Sequence, residues 1–157
     1  LYKELNMSVI IQGDQLRQIA LGQGPVSKAS GASPTTVAAF TVTGGEVLIT
    51  ALWLKVTTSI TTDSGTVAVN LVPTTGDTQT LVTATDLGTT DTTAGTTVGL
   101  DSGTTAASKF LRGGRVNLNA IATTGTINII GAASVNGAFT INACWIPLTA
   151  GAVLVAA

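Results

Sequence analysis

Few residues in this chain could do chemistry, and their spacing argues against most kinds. Histidine is absent from all 157 residues. Within this chain that removes Ser-His-Asp and Cys-His nucleophilic sites and most zinc sites. The single cysteine, Cys144, has no CxxC partner and can form no internal disulfide, so the fold does not depend on an oxidising compartment. It reads as a structural thiol. Asp63, Asp77, Asp86, Asp91 and Asp101 stand in turn-like contexts such as Asp63-Ser64-Gly65 and Asp101-Ser102-Gly103. Aspartate favours turns because its carboxylate accepts hydrogen bonds from the nearby backbone. A calcium ion held between two such loops is the competing reading, without the spacing of an EF-hand or a nonapeptide repeat. Two carboxylates could also flank a glycosidic bond. A sugar cleft, however, usually needs aromatic platforms, and the chain has only two Trp, one Tyr and three Phe. Gly13, Gly22 and Gly24 lack the strand and the Lys-Ser/Thr of a phosphate loop. Neither an enzyme nor a cofactor is expected.

What remains is a set of residues suited to contact. Lys109, Arg112 and Arg115 form the one basic cluster and flank Gly113-Gly114. They read as a solvated or interface turn, with an ion-pair site for an acidic partner as the alternative. The other basic residues are scattered, so nucleic-acid binding by phosphate neutralisation is not expected. Trp53 and Trp145 read as core or subunit-interface anchors rather than ligand platforms. Only 10% of residues are charged, the net charge is −1, and 45% are apolar. A typical domain carries about 25% charged residues. So thin a coat of charge protects poorly against association, which implies a surface largely occupied by partners. Disorder would need the opposite composition. No stretch approaches the ~20 apolar residues of a membrane span, so no membrane partner is expected.

The elements that must position these residues are mostly short strands. Residues 40–43 read as the end of one strand, Gly44-Gly45 as a two-residue hairpin turn, and residues 46–58 as a long strand. Strict alternation puts Val47, Ile49, Ala51 and Trp53 on one face and Leu48, Leu52, Leu54 and Val56 on the other. Both faces are then apolar, which predicts a strand in the middle of a sandwich whose outer face is covered by another subunit. Residues 66–73 alternate Val67, Val69 and Leu71 against Ala68, Asn70 and Val72, and residues 74–77 turn into a strand at 78–84. Residues 115–122 place Val116, Leu118 and Ala120 inward, with Asn117 and Asn119 outward. Thr124-Gly125 turns into a strand at 126–130. Residues 138–147 put Phe139, Ile141, Ala143 and Trp145 opposite Thr140, Asn142 and Cys144.

Two segments stand apart. Residues 1–34 read as an N-terminal arm: a short helix at 14–21 carrying Leu16 and Ile19, then a Gly/Ser/Pro linker. A strand and loop folded onto the domain is the alternative. Residues 85–109 are low in complexity, rich in Thr, Gly and Asp, and read as an exposed excursion with at most one or two weak strands. The apolar run 148–157, with Val153 and Leu154, would promote aggregation if left free, so it is expected to pair or dock. The fold class expected is therefore all-β: a β-sandwich or jelly-roll-like single domain over 35–157, with an extended arm over 1–34.

Residues 40–52 (FTVTGGEVLITAL), 114–123 (GRVNLNAIAT) and 145–148 (WIPL), with a tail ending VLVAA, resemble the capsid decoration proteins of tailed bacteriophages, the cement or head-fibre type. The resemblance implies a β-sandwich or jelly-roll module, a homotrimer, that binds the major capsid protein on the outer surface of the virion. It also implies that the N-terminal segment touches the capsid. The contact residues expected on this reading are Leu16, Ile19, Trp53, Lys109, Arg112, Arg115, Val153 and Leu154. Two alternatives of other classes stay open: a trimeric receptor- or glycan-binding module, and a module of a bacterial surface or adhesion protein.

Overall fold

The structure, a computed structural model, describes residues 23–31, 36–61, 66–86, 92–100, 110–112, 116–132 and 137–157, with the backbone alone at 23–31, 85–86, 110–112, 116–117 and 132. These residues form strands and turns, as the β-branched composition requires. In chain order the strands are β1 (Gln23–Gly31), β2 (Thr36–Thr43), β3 (Val47–Thr58), β4 (Thr66–Pro73), β5 (Gln79–Asp86) and β6 (Thr97–Leu100). They continue with β7 (Phe110–Arg112), β8 (Val116–Ala122), β9 (Gly125–Ala132), β10 (Ala138–Pro147) and β11 (Val153–Ala156). A front sheet runs β1-β10-β3-β6-β7, with β8 also paired to β3, and a back sheet runs β11-β2-β9-β4-β5.

The pairing is that of a jelly roll. The antiparallel pairs β1–β10, β2–β9, β3–β6 and β4–β5 nest as one long hairpin. Rolling that hairpin up adds β10–β3 and β9–β4 and splits the strands between two sheets. β7 and β8 are inserted between β6 and β9, and β11 adds a strand beside β2. The all-β sandwich expected from the sequence is therefore present.

One consequence corrects the hairpin expected at Gly44-Gly45. β2 lies in the back sheet and β3 in the front sheet, so the glycine pair turns a corner between sheets. Gly44 has φ +75°, and a Cβ there would lie 2.5 Å from the Gly151 carbonyl oxygen. The left-handed backbone and the close approach together require glycine. Two more sheet-crossing connections meet this corner. The Leu148 and Thr149 amides donate to the Glu46 carbonyl at 2.9 and 3.2 Å, and the Thr124 hydroxyl donates to the Gly45 carbonyl at 3.3 Å.

The core lies between the sheets. Phe40, Val42, Leu71 and Ile127 from the back meet Ile49, Leu52, Leu54 and Ile141 from the front, all fully buried. Burying each such side chain contributes about 1.5–3 kcal/mol. Burial alternates in β4, where Val67, Val69 and Leu71 are buried; in β10 Phe139, Ile141, Ala143 and Trp145 are buried, and so are Asn142 and Cys144 between them.

In β3 alternation breaks. Trp145 pairs with Ile49 and Cys144 with Ala51, so Thr50 is an extra residue, a β-bulge. Val47 and Ile49 before the bulge and Leu52, Leu54 and Val56 after it all reach the core. The two apolar faces read from strict alternation are thus not the faces of the strand. One face is the core, and Leu48, Trp53 and Lys55 point outward. β8 bulges opposite the same place: Ile49 pairs with Ala120 and Ala51 with Asn117, and Asn119 between them has φ +50°.

Two segments depart from their expected roles, residues 23–31 and 85–109. Residues 23–31, within the stretch read as linker, form β1 on the edge of the front sheet, so the folded domain starts before residue 35. The helix expected at 14–21 lies outside the described residues. The 85–109 excursion contains β6, whose Val98 and Leu100 are buried against β3, and a bridge between Ile60 and Thr92, both buried. It is not wholly exposed. The C-terminal run pairs within its own chain, as β11 on β2.

Candidate interaction face

The outward side of the front sheet gathers the residues best suited to contact. Along β3 the outward order is Leu48, then the bulge at Thr50 and Ala51, then Trp53 and Lys55. Glu46 precedes this series and continues its parity. Register brings the neighbours into rows. Leu48 pairs with Ile121 of β8 and Ile146 of β10. Ala51 pairs with Cys144, Trp53 with Asn142 and Gly99, and Lys55 with Thr140 and Thr97.

The first row is a band of branched apolar side chains across three strands, and Ile121 is 54% exposed. Leu148, just past β10, extends the band and is 49% exposed. The next row is a floor: Ala51 and Cys144 are buried, and the Thr50 hydroxyl is buried with no hydrogen-bond partner. Beyond it Trp53 is half-buried and pairs with Gly99, which is buried. Asn142 is 8% exposed, and its Nδ2 donates to the Thr140 carbonyl oxygen at 3.4 Å. Among the described residues of β3 and its flank, charge stands at the two ends, with Glu46 and Lys55, both exposed.

The expected contact residues divide accordingly. Trp53 lies on this face. Val153 is 41% exposed, but on the outward side of the back sheet, while Leu154 is 2% exposed and belongs to the core. Its backbone pairs with Val42, which turns Leu154 inward and leaves Val153 and Val155 outside. Arg112 pairs with Val98 at the backbone. Leu16, Ile19, Lys109 and Arg115 lie outside the described residues. Sequence reading missed Glu46, Leu48, Ile121 and Ile146. The signal was present in the alternation of Leu48 with Trp53, but the bulge at Thr50 hid that they share a side.

Among the described residues of this face no arrangement supplies a nucleophile with a base. Among the described residues no three His, Cys, Asp or Glu side chains come together as a metal site. Compared with known proteins, the chain matches no family model, no curated protein and no solved structure.

The free edges of the sheets are poor docking sites. β7 has three residues and β11 four. β1 carries Pro25 where its register with β10 slips, and β5 slips twice against β4. Bulges, proline and short length all blunt an edge. Association through backbone pairing is disfavoured, and the faces are left.

Proposed function

We propose that this chain is a non-enzymatic structural protein that decorates the outer surface of a tailed-phage capsid by binding the major capsid protein lattice. The observation that carries the reading is the front face: an apolar band, a floor of small residues and a tryptophan, with Glu46 and Lys55 at the ends of β3. Such a face suits broad, permanent protein contact better than capture of a soluble ligand. The jelly roll supplies a rigid, blunt-edged body for it, although fold alone never fixes function. The sequence resemblance at residues 40–52, 114–123 and 145–148 points to the same role. Repetition of the site over a lattice would make individually weak contacts durable.

The test is co-sedimentation of the purified chain with shells assembled from the cognate major capsid protein. Retention on mature shells, absent with unassembled subunits and accompanied by a higher shell melting temperature, is the expected result. Failure to bind mature shells overturns the reading. A glycan-binding module is favoured by one observation, a partly buried Trp53 paired with Asn142 on the outward side of the front sheet. Binding of the same protein to a glycan array, lost in Trp53→Ala, would put that reading first.

A further inference from the structure

Among the described residues the exposed large apolar side chains are Ile121, Leu148, Val153 and Val155, and they are not spread over the sandwich. All four lie toward one pole, the end where β2 turns into β3, β8 into β9 and β10 into β11. Ile121 pairs with Leu48, two residues past Glu46. The Leu148 amide donates to the Glu46 carbonyl. Val153 pairs with Thr43, just before Gly44. Three apolar side chains thus ring the Gly44-Gly45 corner, two on the front-sheet side and one on the back. At the opposite pole, where Ile60 bridges to Thr92, Ile60 is buried, and no described large apolar side chain is exposed there.

We propose that this pole is the part of the molecule that seats on the capsid, so that the sandwich stands end-on rather than lying flat on its front sheet. This rests on the capsid reading and narrows it: contact begins at the Leu48 end of the front face and continues over the corner. Val153 decides the orientation. It leaves the outward side of the back sheet, and the two sheets of a sandwich lie about 10 Å apart. A partner flat on the front sheet meets Ile121 and Leu148 but is on the wrong side of the sandwich for Val153. A partner capping the pole meets all three.

The pole is braced. The Glu46 amide donates to the Thr149 hydroxyl oxygen at 3.2 Å, and the Thr74 amide donates to the Thr124 carbonyl at 2.8 Å. The β4–β5 turn is therefore tied to the same corner as the other three connections. Apolar side chains held on such a corner have little freedom left to lose on binding. Charge gives the chemistry of the seat. Glu46 and Asp77, the latter in the β4–β5 turn, are both exposed. Lys55 stands nine residues along β3 from Glu46, roughly 30 Å away. The backbones of Lys28 and Arg112 stand level with Leu54, toward the other pole. The lattice surface that fits this pole is apolar, with Lys or Arg at its margin.

The experiment is co-sedimentation of the full chain with mature shells, with the native mass and melting temperature of each variant measured alongside. The variants are Leu148→Ser, Val153→Thr, Lys55→Ser and the pair Glu46→Gln with Asp77→Asn. All these positions are exposed, so the fold should tolerate the changes. Leu148→Ser and Val153→Thr should each weaken retention about tenfold. The paired variant should weaken it less and make it less sensitive to salt. Lys55→Ser should be retained like the wild type. Retention of Val153→Thr at the wild-type level overturns end-on seating, as does a loss for Lys55→Ser as large as that for Leu148→Ser. A changed native mass in the pole variants overturns it too, since the pole would then join copies of this chain. Failure of the wild type itself to bind removes the capsid reading and the orientation with it.

Discussion

Front and back sheets meet the core with interchangeable side chains, Leu, Ile and Val in both, yet their outward sides differ in kind. On the front, Ile121, Leu48 and Ile146 form an unbroken apolar row across β8, β3 and β10. On the back, each row is interrupted by polar groups: Thr41 and Thr126 stand between Val155 and Val72, and Asn70 faces Asn128. Both sheets can be polar outside at no cost to the core. The front keeps one apolar row across three strands although its further rows carry Asn142, Thr140 and Lys55, while on the back the exposed Val153 and Val155 stand beside Thr43 and Thr41. Composition alone cannot show this, because the excess of apolar residues is shared unequally between two surfaces of one sandwich.

The largest effects should come from the inner sides, where the sheets are alike. Phe40→Ala in the back sheet and Leu54→Ala in the front remove fully buried side chains, and each should cost about 3–5 kcal/mol in denaturant unfolding. Similar values for the two would confirm one shared core. A loss under about 1 kcal/mol for Leu54→Ala would mean that the front sheet does not pack as described, and the distinction between its sides would fall with it.

The two tryptophans sharpen the comparison within one sheet. Trp145 is 6% exposed and faces inward, whereas Trp53 is half-buried and faces out. Trp145→Ala should cost about 3–5 kcal/mol. Its Nε1 is buried without a hydrogen-bond partner, so that loss is packing alone. Trp53→Ala should cost less, roughly 2–3 kcal/mol, because Trp53 is only partly buried. Acrylamide should quench Trp53 in a Trp145→Phe background more readily than Trp145 in a Trp53→Phe background. Equal costs for the two alanine variants would mean that Trp53 is a core residue after all.

How much of this was legible depended on whether local pattern or distant pairing decided. β4 and β10 could be read residue by residue, because an uninterrupted period of two fixes both faces. β3 could not. Its bulge changes the phase at Thr50, and the apolar residues on either side give no local sign of the slip. Gly44-Gly45 announced a positive φ but not which sheet the next strand would join. β1 is a strand because β10 offers a partner, not because its Gly, Pro and Ser favour extended structure. Leu154 was grouped with Val153 for the same reason: only register against β2 separates inside from outside. The candidate face was thus half visible, in Trp53, and its other half followed from pairing.

The smallest effect is expected on the outward side of the back sheet, and it tests the comparison most directly. Thr126 and Leu48 are both half-buried strand residues pointing away from the core. Thr126→Ser removes one methyl from a face of mixed rows and should change folding stability by no more than about 0.5 kcal/mol. It should leave retention on capsid shells as it was. Leu48→Thr puts a β-branched residue into the strand, which limits its folding cost to about 1 kcal/mol. It also breaks the apolar row between Ile121 and Ile146, so retention on shells should weaken about tenfold. Equal responses from the two variants, whether both neutral or both disruptive, would mean that the faces differ in composition but not in use.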